Sequence, residues 1–403
     1  MMASADKQLP KGWKWVKLGE VARIFAGSAA PQGKEFFSSD GPPFVRVSDL
    51  GRHGRTIKLM ETSDRLSEKA LKECQLVPAK KGTVLFPKSG AAIMTNNRAI
   101  LGRNAYIVSH LIAVEPTDEA TSLWLYWSLC CIDMMEYSDN TGYPSLKQSV
   151  VESIEIPLPP LSEQKRITAI LNEQLAAVEK ARQAAQEQQE AAKALPNAYL
   201  REVFSPANLK RWPRKRFDQV VKIEAKQVNP TLPEYRNLPH VNGENIESGT
   251  CKIIYLNTAA EEQMISGKYL FSAGSVLYSK LRPYLRKVAL VDFEGLCSAD
   301  MYPIEVNQRF LRPDYTAWLL LSEEFTNFAV SQSQRARMPK LNRDQLFSWD
   351  APIPDLKEQK QIANKINVHM KSVEQLCQLI ETEINEINAI SASLLRKAFI
   401  GDL

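Results

Sequence analysis

No stretch of this chain approaches the roughly 18 consecutive apolar residues of a membrane span, and residues 1–17 carry lysines without the hydrophobic centre of a signal peptide. A cytoplasmic protein with no membrane partner is therefore expected. Cysteine is sparse: Cys74, Cys130, Cys131, Cys251, Cys297 and Cys377 include no C-x-x-C pair, so reduced, mostly buried thiols are expected rather than zinc or disulfides. Histidine is sparser, and His53, His110, His240 and His369 lie too far apart in the chain to suggest metal ligands. No large charge excess exists either. The net charge of +5 hints at a polyanionic partner and excludes nothing. With 44% hydrophobic and 24% charged residues among 403, the composition is that of a globular protein with room for two cores of about 150 residues each.

Catalytic motifs are missing too. Asn229-Pro230-Thr231-Leu232 begins like the Asn-Pro-Pro-aromatic motif that grips a flipped adenine, but lacks its second proline and aromatic. Residues 27–34 do not form a phosphate loop, since the glycines are one position too far apart and Glu35 stands where a magnesium-binding hydroxyl belongs. Glu224-Ala225-Lys226 has the Glu-x-Lys form of many nucleases without a Pro-Asp upstream. No catalytic residue, metal site or cofactor site is assigned to this chain.

What the chain does have is a repeat. Pro157-Leu158-Pro159-Pro160-Leu161-Ser162-Glu163-Gln164-Lys165-Arg166-Ile167 returns 195 positions later as Pro352-Ile353-Pro354-Asp355-Leu356-Lys357-Glu358-Gln359-Lys360-Gln361-Ile362, identical at seven of eleven positions. Each copy opens a long run without glycine, ending in Leu200-Arg201-Glu202-Val203-Phe204 and Leu395-Arg396-Lys397-Ala398-Phe399. The prolines force extended backbone, and Glu163 and Glu358 then fall in a first helical turn, with Asp355 and Glu358 spaced for a capping box. In the second copy Val373, Cys377, Ile380, Ile384, Ile387, Ser391 and Leu394 keep the four-three spacing of a coiled-coil seam. The matching Val178, Arg182, Ala185, Gln189, Ala192, Pro196 and Tyr199 are smaller or polar and allow close approach. Antiparallel pairing of the two helices about a pseudo-two-fold axis is the expectation, placing the globular segments at opposite ends of a rod. Pro196 is expected to kink or end the first helix near Leu195.

The duplication extends into the globular segments. Trp13-Lys14-Trp15-Val16-Lys17 and Trp212-Pro213-Arg214-Lys215-Arg216 open them. Strand-like runs follow at 44–47, 83–86 and 105–114, with counterparts at 238–241, 275–278 and 287–292. Helix-like apolar runs come next, residues 123–135 with Trp124 and residues 315–328 with Trp318. The fold class is α+β: two globular domains separated by two long helices, with internal duplication. The boundaries fall at 1–156, 157–204, 205–351 and 352–403. Residues 1–160 hold 19 basic and 17 acidic side chains, residues 205–354 hold 20 and 16, and the helical stretches are balanced.

Two variable α+β domains, each followed by a P-x-P-P-L-x-E-Q-K-x-I helix, resemble the specificity subunit of type I restriction-modification enzymes over essentially the full chain. Lys280-Leu281-Arg282-Pro283-Tyr284-Leu285-Arg286-Lys287 resembles a basic segment of that family's target-recognition domains. The resemblance implies a non-catalytic subunit whose domains each read half of a split, asymmetric site in double-stranded DNA. It also implies helices that fix the gap and bind two adenine-methyltransferase modification subunits. S-adenosylmethionine, ATP and magnesium are then expected on partners, the last two with a restriction and translocation subunit.

Arginine suits guanine or phosphate, asparagine suits adenine and lysine suits phosphate. On those grounds the candidate DNA contacts in the second domain are His240, Asn242, Asn245, Lys280, Arg282, Tyr284, Arg286, Lys287, Arg335, Arg337 and Lys340. In the first domain they are Arg46, Ser48, Lys88, Ser89, Asn96, Asn97, Arg98, Arg103 and Asn104. Two rivals remain. A stand-alone DNA-modifying enzyme should show a catalytic constellation, and a purely structural coiled-coil protein would have no use for two different loop-rich domains with positive excess.

Overall fold

The computed structural model describes residues 9–50, 57–139, 142–223, 226–333 and 339–403. They form two compact units, Met1–Ala184 with Ile384–Leu403, and Ala185–Glu383. No helix among the described residues is long and apolar enough to cross a membrane.

In the unit that begins the chain, the strand Val84–Pro87 is buried at every position, as expected for a run of Val, Leu and Phe in the middle of a sheet. It pairs antiparallel with Leu111–Pro116 on one side, Val84 facing Val114, and with Ala99–Leu101 on the other, Val84 facing Ile100. Ala22–Ala26 and Lys58–Leu59 complete this sheet among the described residues. A second sheet orders Asp64–Arg65, Pro43–Val45, Ala105–Ile107 and Pro78–Ala79. The helix Ser122–Cys130 covers the first sheet and buries Trp124, Leu125 and Leu129. Lys14–Lys17 pairs with Glu155–Leu158, which brings the start of the domain against the first repeated prolines.

The unit Ala185–Glu383 follows the same plan. Val276–Ser279 is the wholly buried strand, between Met301–Val306 and Val288–Leu290, and Arg214–Arg216 pairs with Asp350–Pro352. Two sequence expectations need correction. Residues 105–114 are not one strand but two, in different sheets, separated where Val108 bridges to Ser28. The run 315–328 divides into Pro313–Leu320 and Glu323–Ser333, because the Ser322 hydroxyl accepts from the Phe325 N–H at 3.2 Å and starts a new helix.

The repeated motif explains how domain meets helix. Gln164 and Gln359 have no exposed surface. The Gln164 carbonyl accepts from the Thr121 N–H at 2.8 Å, and its amide donates to the carbonyls of Glu119 and Pro159, both at 2.9 Å. Gln359 does the same with the Arg312 N–H at 2.9 Å and the carbonyls of Phe310 and Pro354 at 2.8 Å. Two turns along each long helix, Trp127 Nε1 donates to Asn172 and Trp318 Nε1 to Asn367. Trp318 is therefore the counterpart of Trp127, and Trp124 matches Tyr315: both donate to the first carbonyl of the motif, at Pro157 and Pro352.

The long helices run Leu161–Val203 and Leu356–Ile400. Every seam position named from the sequence is buried or half-buried. Val373, Ile380 and Ile387 lie below a tenth exposed on the second helix, and Ala185 and Ala192 on the first. Within Ala185–Glu383 the partners run in opposite directions. Lys193, whose pKa is raised by its Glu190 hydrogen bond, also feels Cys377 and Glu381, while Tyr199 stacks on His369 with ring centroids 3.9 Å apart. Within the other unit Arg166 donates to the Leu403 carbonyl. Each domain core also takes a phenylalanine from the helix that ends the other repeat. Phe399 lies 4.7 Å from Trp124, which also meets Trp13 at 5.6 Å. Phe204 lies 6.1 Å from Tyr315 and 6.2 Å from Trp212.

Pro196 does not end the first helix, which continues to Val203. An interior proline costs about 3 kcal/mol or more. Burying Leu200 and Phe204 beyond it recovers roughly 1.5–3 kcal/mol each. The capping box at Asp355 is half formed: its carboxylate accepts from the Glu358 N–H at 2.8 Å, while the Glu358 carboxylate takes Arg211 and the Trp212 indole N–H.

Replacing Gln359 with leucine should lower stability by on the order of 3 kcal/mol, since a buried N–H and two carbonyls lose their partner. Gln359→Glu keeps the acceptor, loses both donated bonds, and should be no better. Urea denaturation checks this, and an unchanged midpoint for Gln359→Leu would show that the glutamine does not fasten domain to helix.

Candidate nucleic-acid interface

Each unit projects a finger from its buried central strand. In the second, the chain leaves Val276–Ser279 at Lys280, whose carbonyl accepts from the Leu341 N–H at 2.9 Å. Two residues on, the Arg282 N–H donates to the Pro339 carbonyl at 2.8 Å. Arg282 is left-handed at φ +49°, the 3-10 turn Pro283–Leu285 follows, and left-handed Arg286 at φ +51° returns the chain to Val288–Leu290. In the first unit the Lys88 carbonyl accepts from Leu146 N–H at 2.9 Å and the Gly90 N–H donates to Pro144 at 2.8 Å. Gly90 (φ +74°), the turn Ala91–Thr95 and left-handed Asn96 (φ +51°) then lead to Ala99–Leu101. The segments 144–146 and 339–341 are thus part of each finger.

Arg282, Tyr284 and Lys340 stand exposed on the second finger, and Lys340 is bridged to Leu281 beside Arg282. On the first unit Arg103 and Asn104 are exposed in the turn after Ala99–Leu101, with the Asn104 carbonyl accepting from the Lys81 N–H at 2.8 Å. Lys88, Ser89 and Asn97 are half-buried, and Ser89 Oγ lies 2.7 Å from His110 Nδ1. Arg335 and Arg337 lie outside the described residues.

Other candidates are occupied inside the protein. Arg286 donates to Asn197 of the first long helix at 2.7 Å and to the Leu321 carbonyl, and burial lowers its pKa below the ordinary arginine value. Asn96 plays the matching part, its amide donating to the Cys130 carbonyl at 3.3 Å. Both side chains hold the last turn of the helix that covers the sheet. Arg98 is buried, lies 5.0 Å over the Phe86 ring, donates to Asn96 and Asn97, and is pushed down to about 10 by desolvation. Lys280 donates to the Ala299 carbonyl and sits over Tyr302, with its pKa lowered by burial and then by Lys340. Lys287 donates to the Gly243 carbonyl. Arg98, Lys280, Arg286 and Lys287 are thus buried or half-buried and bonded within the protein, while Asn96 is bonded from an exposed position.

A second loop follows the parallel-paired strands Pro43–Val45 and Pro239–Val241. In one unit the Arg46 N–H donates to Asp49 at 2.8 Å, and in the other the Asn242 N–H donates to Asn245 at 2.7 Å. Asn242 thus matches Arg46, and Asn245 matches Asp49, which the sequence reading missed although an Asx turn was its signal. Arg46 is ion-paired with Asp64 and lies 5.6 Å from the Phe37 and Phe44 rings, while Ser48 is exposed. His240 is a correction. Its ring is buried with Nδ1 2.6 Å from Glu262, and desolvation, opposed by Glu262, lowers its pKa. Asn245 is equally buried.

A family model described as type I restriction modification DNA specificity domain matches residues 10–188 and again residues 210–389. The chain is 28% identical over 437 residues to the type I restriction enzyme EcoDI specificity subunit of Escherichia coli, covering 99% of this chain and 90% of the relative. A chain from a type I R-M system, solved in a study of complex assembly and conformational transition, superposes with a TM-score of 0.77 at 21% identity, over 98% of this chain and all of that one. The HsdS subunit from Thermoanaerobacter tengcongensis gives 0.63 at 20% identity over the whole of both chains. These two structural likenesses speak to the fold, while the specificity-domain model covers most of the sequence in two successive copies, each containing one finger. The chain belongs to the type I restriction-modification DNA specificity family.

Proposed function

We infer that this chain is the DNA-recognition subunit of a type I restriction-modification enzyme and does no chemistry of its own. The observation that carries this reading is the specificity-domain match in both repeats, each copy supplying a finger of the same backbone construction and different exposed residues. Each unit reads one half of a bipartite, asymmetric site. Arg282 offers two parallel hydrogen bonds suited to guanine, Asn104 an amide suited to adenine, and Lys340 a phosphate contact. The paired helices set the unread gap and dock two methyltransferase subunits. S-adenosylmethionine belongs to those partners, and ATP and magnesium to a translocating restriction subunit. The setting is cytoplasmic.

Exchanging residues 205–351 for the equivalent domain of a relative should change one half of the methylated motif in the host genome and preserve the other. Genome-wide methylation mapping reads the result, and a change in both halves would end the case for independent reading.

Arg282→Ala should weaken binding to the preferred site by about 1–3 kcal/mol and relax preference at one base pair, leaving the fold intact. Arg286→Ala should instead lower the thermal midpoint, because it frees Asn197 and the Leu321 carbonyl. A stable Arg286 variant that alters one base preference would reverse these assignments.

A helical block of four residues adds about 6 Å. Inserted after Glu187, it should lengthen the unread gap by about a base pair without changing either half-site. An active variant with an unaltered gap would make the helices tethers.

A further inference from the structure

The fingers share a property that none of the hydrogen-bonding residues explains. Two positions before left-handed Asn96 stands Met94, 63% exposed; two positions before left-handed Arg286 stands Tyr284, 53% exposed. The first finger is two residues longer on its entry side, from Gly90 rather than Arg282, but from the tip onward the register is the same: Ile93 and Pro283 are buried, and their carbonyls accept from the Asn96 and Arg286 N–H groups at 3.3 and 2.9 Å. A lone exposed apolar side chain is ordinary on a protein surface. The same tip position, filled twice by a large side chain on a turn pinned at both ends, is a built feature. One end is held by the backbone bonds of Gly90 and Arg282, the other by the side chains of Asn96 and Arg286 on the Cys130 and Leu321 carbonyls.

Methionine and tyrosine have no hydrogen-bonding chemistry in common. They share polarizable apolar bulk. Beside the tyrosine tip stand Arg282 and Lys340, and Lys88 precedes the methionine tip. A partner must therefore offer anionic groups and apolar surface within one finger's width, and duplex DNA offers phosphates next to thymine methyl groups and the faces of deformable base steps.

We propose that Met94 and Tyr284 are specificity-determining tips, each pressing apolar surface against the bases of its own half-site while neighbouring cations hold phosphate. The proposal rests on the DNA-reading function above. It adds a contact that selects sequence without a hydrogen bond.

The full-length chain is incubated with a pool of randomised duplexes and the bound fraction sequenced. Wild type should enrich a two-part motif. Tyr284→Ala should flatten preference at one or two adjacent positions of one half by roughly tenfold, and Met94→Ala should do so in the other half. Tyr284→Phe should behave as wild type, and the salt dependence of affinity should not change in any variant. Thermal midpoints should stay at the wild-type value, as both tips are solvent-facing. Uracil in place of thymine at the affected position should reproduce the loss if the methyl is the partner; 2-aminopurine fluorescence there should rise on binding if a base face is. An alanine variant that enriches the unaltered motif would overturn the proposal. So would a uniform loss with a shallower salt slope, a phenylalanine variant as poor as alanine, or silence in both the uracil and 2-aminopurine arms. A wild-type chain that enriches no motif would instead overturn the DNA-reading function, and the proposal with it.

Discussion

Two buried glutamines fasten this protein together. A primary amide is both donor and acceptor, and Gln164 and Gln359 use the group fully, accepting from one backbone N–H and donating to two carbonyls. Glutamate at the same place would bring a charge and no donors. The bonds join the strand-to-helix turn of each domain to the proline segment and the first turn of the long helix. The indole and phenol donors on the Pro157 and Pro352 carbonyls then fix how that turn meets the domain core. Four of the seven identities of the repeat follow: two prolines for extended entry, glutamate for the helix start, glutamine for the lock.

The far ends of the helices are fixed by burial. Phe399 and Phe204 each enter an aromatic cluster that includes the opening tryptophan of a domain, Trp13 through Trp124 in one unit and Trp212 directly in the other. Each domain thus holds the start of the helix that follows it and the end of the helix of the other repeat. This exchange tolerates the weak seam of the first helix, whose buried seam positions are the small Ala185 and Ala192. It also carries the helix through Pro196, because the residues beyond the proline are anchored.

The fingers divide their polar residues between internally bonded and solvent-facing side chains. Asn96, Arg98, Arg286 and Lys287 bind carbonyls or amides of the protein itself, and that internal bonding holds two left-handed turns open without a glycine at Asn96, Arg282 or Arg286. Arg282, Lys340, Arg103 and the apolar tips remain toward solvent.

Periodic and local features were legible in the sequence: the duplication, the proline entry, the helix starts, every seam position and the strand-like runs at 83–86 and 275–278. Each depends on spacing along the chain, and spacing survives folding. Legible too was the region of the fingers, since cations crowd around Tyr284 and Asn96. Which cation faces solvent was not. Arg282 and Arg286 are four residues apart in one turn with the same guanidinium, yet one is exposed and the other is clamped between Asn197 and the Leu321 carbonyl, groups far away in sequence. The burial of His240 was hidden for the same reason, as its partner Glu262 arrives from another segment. The sequence alone determined the repeat, the helices and their seam, because propensity and periodicity act between neighbours. Tertiary structure decided the fate of Pro196, the lock made by the two glutamines, and the division of the finger residues into internally bonded and solvent-facing side chains, because those depend on the burial and bonding of groups that only folding brings together.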